Sequence, residues 1–201
     1  DGITDGFIGD APDQGAYENG GEMWIPGISW NISEVFGNEF SEPEPLYNGS
    51  LFHVAINGSN NNDGSLGNPF SSMQFAYDRA NENDTILVHP GTYNDDVWLY
   101  GKNVVLGSLF LSTGDTSFIS STIIDGDSTE CTVAIYVNID STCRVTGFTI
   151  HNGIGCVYGQ GAGIYVESAS PRLDNLIIKN NVGDINGVGI CLNDNSNSFI
   201  D

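Results

Sequence analysis

The chain has 201 residues, 39% of them hydrophobic and 26 of them glycine, enough for one domain or one domain with an appendage. Only 5 Lys and Arg face 26 Asp and Glu, a formal charge of −21. That balance argues against nucleic acid, whose phosphates need clustered cations, and turns polyanions away unless a cation bridges them. No apolar run reaches membrane-spanning length, so no membrane insertion is expected.

Residues 1–47 differ from the rest. They are rich in Gly, Pro and acids, with Trp24 and Trp30 and little periodicity. They read as an extended arm packed by its aromatics, or as a linker, and Asn38–Pro45 has linker composition. The start at Asp1, without Met or an apolar leader, reads as a mature or excised segment.

A second domain, 48–201, opens with a strand at Leu51–Ala55. The loop Asn57–Phe70 is dense in Asn, Asp and Gly. Asn62 and Asp63 there are candidate oxygen ligands for calcium, although turn structure accounts for the same composition and is favoured. Ser71–Asn81 carries the one helical pattern: Ser71 or Ser72 as cap, then Met73, Phe75, Ala76 and Ala80 as an apolar stripe. A single amphipathic helix ahead of many strands suits an N-terminal cap over the first coil of a solenoid. Strands are expected at Asp84–Val88, around Val97–Trp98, at Val104–Leu106 and at Ile123–Ile124.

From Arg144 onward the sequence repeats itself. Arg144, Val145, Phe148, Ile150 and Asn152 fall on Arg172, Leu173, Leu176, Ile178 and Asn180 at an offset of 28. Gly163–Val166 lies over Gly189–Leu192 at 26, and Ala134–Val137 precedes Gly163–Val166 by 29. A recurrence of this size marks a stacked array. Its apolar residues alternate, which is strand periodicity, and Asn, Gly, Asp and Ser clusters separate the strands. The fold class is therefore all-β: a right-handed parallel β-helix with an N-terminal capping helix and an extended arm. An antiparallel sandwich is the less favoured alternative. Phe148 is expected beside Leu176 in the core, and Asn152 beside Asn180 at a bend, where their amides can hydrogen-bond along the stack. The end at Phe199–Asp201 reads as the start of another strand, so the solenoid is expected to continue.

Asn62-Asp-Gly64, Asn68-Pro-Phe70, the Gln74–Ala80 helix, Asp84-Thr-Ile86, Pro90-Gly-Thr-Tyr93 and Gly101-Lys-Asn103 resemble the opening of pectate-lyase-like, right-handed β-helix proteins of bacteria. Thr122–Gly126 and Gly147–Gly153 resemble their repeats. The resemblance covers about residues 49 to 201 and is specific for fold rather than activity, since the same opening serves lyases, hydrolases, epimerases and non-catalytic surface proteins. Leu106–Ser117 is similar to segments of large multidomain surface proteins of Bacteroidetes-type bacteria, often exported by the type IX route. Ala11–Glu18 resembles the end of a bacterial β-helix domain, hence the tail of a preceding one. The resemblance implies a secreted or cell-surface location.

β-Helix lyases use an Arg or Lys base and a cation, often calcium, at a uronate carboxylate. The candidates here are Arg144 and Arg172, stacked on adjacent coils, with Lys179 above His151. The favoured alternative pairs both arginines with acids such as Asp140 and Asp174. Hydrolases need clustered carboxylates, but Asp125 aligns with His151 and then Lys179, so no carboxylate column forms. Tyr136, Tyr165 and Cys191 are expected outside in one column, where tyrosines can support sugar rings or cover the sheet beneath another segment. Among Cys131, Cys143, Cys156 and Cys191 three pairings exist. Cys131–Cys143 with Cys156–Cys191 is preferred, and buried free thiols are the alternative.

Two readings follow. One is a non-catalytic solenoid module of a large extracellular protein, structural or adhesive, touching polysaccharide or neighbouring domains and requiring no cofactor, with calcium optional. The other is a carbohydrate-active enzyme domain, a polysaccharide lyase or hydrolase, whose site is incomplete in this segment.

Overall fold

The computed structural model describes residues 50–127, 130–156, 161–183 and 187–200. The expected arm with Trp24 and Trp30 lies outside the described residues. The fold is a right-handed parallel β-helix in which the chain visits three parallel sheets in turn. The strand β1 (Leu51–Val54) opens the stack, followed by helix α1 (Met73–Arg79). The first full coil is β2 (Thr85–Val88), β3 (Gly91–Asn94) and β4 (Val97–Tyr100). The second is β5 (Val105–Ser108), β6 (Thr122–Asp125) and β7 (Val133–Tyr136), and the third is β8 (Arg144–Thr146), β9 (Thr149–His151) and β10 (Ile164–Glu167). The fourth holds β11 (Arg172–Asp174), β12 (Ile177–Lys179) and β13 (Ile190–Asn193), and β14 (Phe199–Ile200) begins a fifth.

Strands of the same rank pair in parallel. The first sheet is β1-β2-β5-β8-β11-β14, the second β3-β6-β9-β12, the third β4-β7-β10-β13. Because side chains alternate across a strand, this register makes continuous inward columns. In the first sheet Phe52, Ile86, Leu106, Val145 and Leu173 lie side by side. In the second the column is Tyr93, Ile124, Ile150, Ile178. The third contributes Val97, Val133, Ile164, Ile190 and Leu99, Ile135, Val166, Leu192. Phe148 and Leu176 join the same core as expected, Phe148 fully buried. An antiparallel sandwich is excluded by the parallel pairing.

The coils are unequal. Thr85, Val105, Arg144, Arg172 and Phe199 are successive partners, 20, 39, 28 and 27 residues apart. The long second coil carries two short helices, α2 (Phe110–Thr113) and α3 (Ser117–Ser121), which the sequence reading missed. Each is a single turn without a side-chain cap, too short for an apolar stripe to show. Leu111 of α2 closes over Gly107 of β5.

The expected cap is present and works through hydrogen bonds as well as burial. Met73, Ala76 and Tyr77 are buried on the core. Ser72 is the N-cap and accepts from Phe75 N–H at 3.1 Å. Asp95, arriving from the β3–β4 turn, accepts from Met73 N–H (2.7 Å) and the Ser72 hydroxyl (2.9 Å). The helix also closes the open edge of β4: Trp98 N–H donates to Gln74 Oε1 (2.7 Å) and Tyr100 N–H to Tyr77 Oη (2.6 Å). A sheet edge left bare invites pairing with another chain, and here that edge is occupied.

Corners recur at matched places. Gly101, Asn138, Ser168 and Asn195 after the third sheet, Gly147 and Asn175 after the first, and Asn152 and Asn180 after the second all have positive φ. Asparagine and glycine tolerate this left-handed conformation best, which explains the Asn–Gly clusters between strands. Asn152 and Asn180 occupy one bend as expected, but Asn152 Nδ2 donates to Asp125 Oδ1 of the preceding coil (3.0 Å) rather than along an asparagine row.

Candidate functional site

The arginines are brought together by the first sheet. Arg144 pairs with Arg172, and Thr146 with Asp174, on the outward face of β8 and β11. Asp174 is 1% exposed and receives five donors. Arg144 grips it with Nε on Oδ2 (2.9 Å) and Nη2 on Oδ1 (2.8 Å). Arg172 Nε donates to Oδ2 (2.6 Å), and Thr146 Oγ1 and Asn175 Nδ2 donate to Oδ1. Burial alone would raise the Asp174 pKa, but the hydrogen bonds from Arg144, Thr146 and Asn175 and the charge of Arg144 outweigh it and hold the carboxyl well below the usual range. Of the two acids expected to pair with the arginines, Asp174 does so. Asp140 instead turns its Oδ1 to Thr142 (N–H 2.8 Å, Oγ1 2.6 Å).

Lys179 stands elsewhere, on the second sheet, beside His151. The outward column there is Asn94, Asp125, His151, Lys179, and His151 Nε2 lies 3.6 Å from Asp125 Oδ2. Asp125, His151 and Lys179 align as the sequence reading expected, and Asp125 also lines a small hollow with Asp95, Asp96 and Asp127. Arginines and lysine therefore do not share a cleft.

The third sheet carries aromatics outward. Trp98, Ala134, Tyr165 and Cys191 are successive partners in one column, and beside it Tyr100 pairs with Tyr136 and Glu167 with Asn193. This corrects the expectation of a single column: Tyr136 and Tyr165 share a face but sit two residues apart in register. It also removes Tyr165 as a sugar platform, because its ring is fully buried against Cys131, Ala134 and Cys191. Tyr136 remains half-buried, with ring centroids 6.0 Å from Trp98 and 5.9 Å from Tyr165. Burial and then the nearby Tyr165, Glu167 and Glu130 push its phenol up. Trp98 is 42% exposed and Tyr100 64%. Both were missed as surface residues, yet the alternation Val97-Trp98-Leu99-Tyr100, with Val97 and Leu99 inward, already sends them out.

The cysteine pairing differs from the preferred one. Cys131 is bonded to Cys156, with Cα atoms 4.7 Å apart. These two residues frame β7, β8 and β9 and meet where the second and third coils stack, whereas Cys143 immediately precedes β8 of the first sheet and is buried in the core. Burial pushes the Cys143 thiol up to about 12, so it stays protonated and inert. In the polar loop, Asn62 Nδ2 donates to Pro69 O (2.9 Å) and Asp63 Oδ1 accepts from Ser65 N–H (3.0 Å), so both proposed calcium ligands serve the loop's own turns.

Near the cap, His53 and His89 form a pair that sequence reasoning did not connect, Nδ1 to Nε2 3.1 Å. Burial lowers both pKa values, and at His53 the neighbouring His89 adds to it. No described helix is long and apolar enough to cross a membrane.

Residues 56–199, well over half of the chain, match the family described as Protein of unknown function (DUF1565). No curated protein matches the chain.

Proposed function

The chain belongs to the DUF1565 family, and we propose that it is a non-catalytic solenoid module of a large extracellular or cell-surface protein, related to the pectate-lyase-like β-helices. Its part is structural and adhesive, with glycan contact through an outer sheet face. The observation that carries this reading is the arginine pair. A lyase base must have a nitrogen ready to take a proton beside a uronate, whereas Arg144 donates to both oxygens of Asp174 and Arg172 shares the same buried carboxylate. In the Asn94–Asp125–His151–Lys179 column the neighbours of Asp125 are an amide and an imidazole, and of the aspartates that share its small hollow, Asp95, Asp96 and Asp127, Asp95 is engaged in capping α1. The Cys131–Cys156 bond suits an oxidising compartment.

The test is turnover. The full chain is incubated with pectate, alginate and chondroitin, with and without calcium, and the unsaturated product is followed by its ultraviolet absorbance. No product is expected. A robust rate that Arg144→Ala and Arg172→Ala abolish would overturn the proposal and establish the enzyme reading.

A further inference from the structure

Resting on that adhesive reading, we propose that Trp98, Tyr100 and Tyr136 form a platform for an extended, uncharged polysaccharide lying along the solenoid axis on the third sheet. Trp98 and Tyr100, 42% and 64% accessible, stand on the outward face of β4, and the half-buried Tyr136 of β7 sets its ring 6.0 Å from that of Trp98, the planes 45° apart, and 5.9 Å from that of Tyr165. Sugar rings carry apolar C–H faces that lie on aromatic rings and hydroxyl edges that need hydrogen-bond partners. Both kinds of group stand here: Tyr100 pairs with Tyr136 and Glu167 with Asn193, Tyr136 and Glu167 each follow the paired Ile135 and Val166, and Asn193, whose Nδ2 donates to Tyr165 Oη at 3.1 Å, keeps its Oδ1 as an acceptor. Strands of a sheet are about 4.8 Å apart, close to the advance of one pyranose along a β-linked chain. Two rings followed by a carboxylate and an amide can therefore meet successive sugars of one strand of glycan.

Charge selects against the acidic polymers that a lyase-like fold brings to mind. Glu167 and Glu130 lie near Tyr136, and Lys102, the cation next in sequence to Tyr100, points its Nζ to Ala80 O at 2.7 Å. A uronan would meet carboxylates without a counter-ion. An extended peptide adding a strand is disfavoured for a different reason: Gln74 and Tyr77 occupy the backbone edge of β4. The same contacts fix the backbone of the strand bearing Trp98 and Tyr100, so that part of the surface needs no ordering on binding.

The experiment uses the full chain with cellohexaose, xylohexaose and mannohexaose, and hexagalacturonate with and without calcium as the charged comparison. Affinity is read by calorimetry and by tryptophan fluorescence. At least one neutral hexasaccharide is expected to bind, and Trp98→Ala and Tyr100→Ala are each expected to weaken it at least tenfold. Ser112→Ala on α2 should change nothing. Both aromatic variants alter exposed side chains, and an unchanged urea midpoint verifies that they fold. The proposal is overturned if no neutral hexasaccharide binds, if neither substitution weakens binding, or if hexagalacturonate is preferred. It is also overturned if the chain self-associates through this face, seen as a sedimenting dimer that Trp98→Ala abolishes. Cleavage of the same oligosaccharides, detected by chromatography, would instead sink the non-catalytic reading, so the two failures are told apart.

Discussion

Replacing Asp174 by Asn tests whether the two arginines are a structural clamp. The substitution keeps the shape and removes the charge that Arg144 and Arg172 share. Deleting one partner of a buried ion pair costs about 3–5 kcal/mol. The side chains of Arg144 and Arg172 are 28% and 50% exposed, so water compensates part of their charge, and a cost of about 2–3 kcal/mol is expected. For a domain of this size that lowers Tm by roughly 4–12 °C. The assay is urea unfolding at pH 7 followed by circular dichroism. The acid limb supplies a second readout. The folded-state carboxyl of Asp174 is held below its ordinary value, so its stabilisation is complete above the unfolded pKa, about 3.9. As pH falls through that value toward the folded one, the unfolded chain takes up the proton first and stability is lost. Asp174→Asn should therefore show a shallower loss of stability between pH 5 and pH 2 than the parent chain. A variant within about 0.5 kcal/mol of the parent, or with the same acid dependence, would refute the clamp and free the arginines for chemistry.

Three further outcomes are expected. Asp95→Ala removes the carboxylate at the N-terminus of α1 and should cost about 0.5–2 kcal/mol in urea unfolding, with the cap losing hydrogen-exchange protection before the coils. Cys131→Ser opens a bond between residues 25 apart, worth about 3.5 kcal/mol by chain entropy, and peptide mapping of the non-reduced parent should recover Cys131 linked to Cys156. Burial holds His53 and His89 below their ordinary pKa, so the unfolded chain binds more protons on acidification. The stability they leave intact above about pH 6.5 should then fall toward pH 5, and His89→Gln should flatten that fall.

The coil was legible wherever its length was regular. The step from Arg144 to Arg172 contains only strands and Asn–Gly corners, so five matched residues sufficed to place β8 on β11. The step from Val105 to Arg144 hides the same geometry, because α2 and α3 interrupt it and no fixed offset survives. The inward and outward faces of β4 went unread, although Val97 and Leu99 alternate with Trp98 and Tyr100. The faces were misjudged at Tyr136 and Tyr165, because Ala134 and Tyr165, not the two tyrosines, are the register partners. The arginine clamp could be anticipated, since Asp174 sits two residues from Arg172 on the same strand face. The disulfide and the His53–His89 pair could not, because each joins segments that meet only once the coils are stacked.

The excursion through α2 and α3 leaves the stack after Ser108 and rejoins it at Thr122, with β5 and β6 each still in register with its neighbours. The axial rise of the molecule is thus indifferent to how much chain hangs from a corner. Length along the axis comes in quanta of one strand spacing, while corners grow outward without altering it. Such a module is a ruler whose graduations can be multiplied by copying a coil, and whose markings, the residues on each outer column, can be rewritten one sheet at a time.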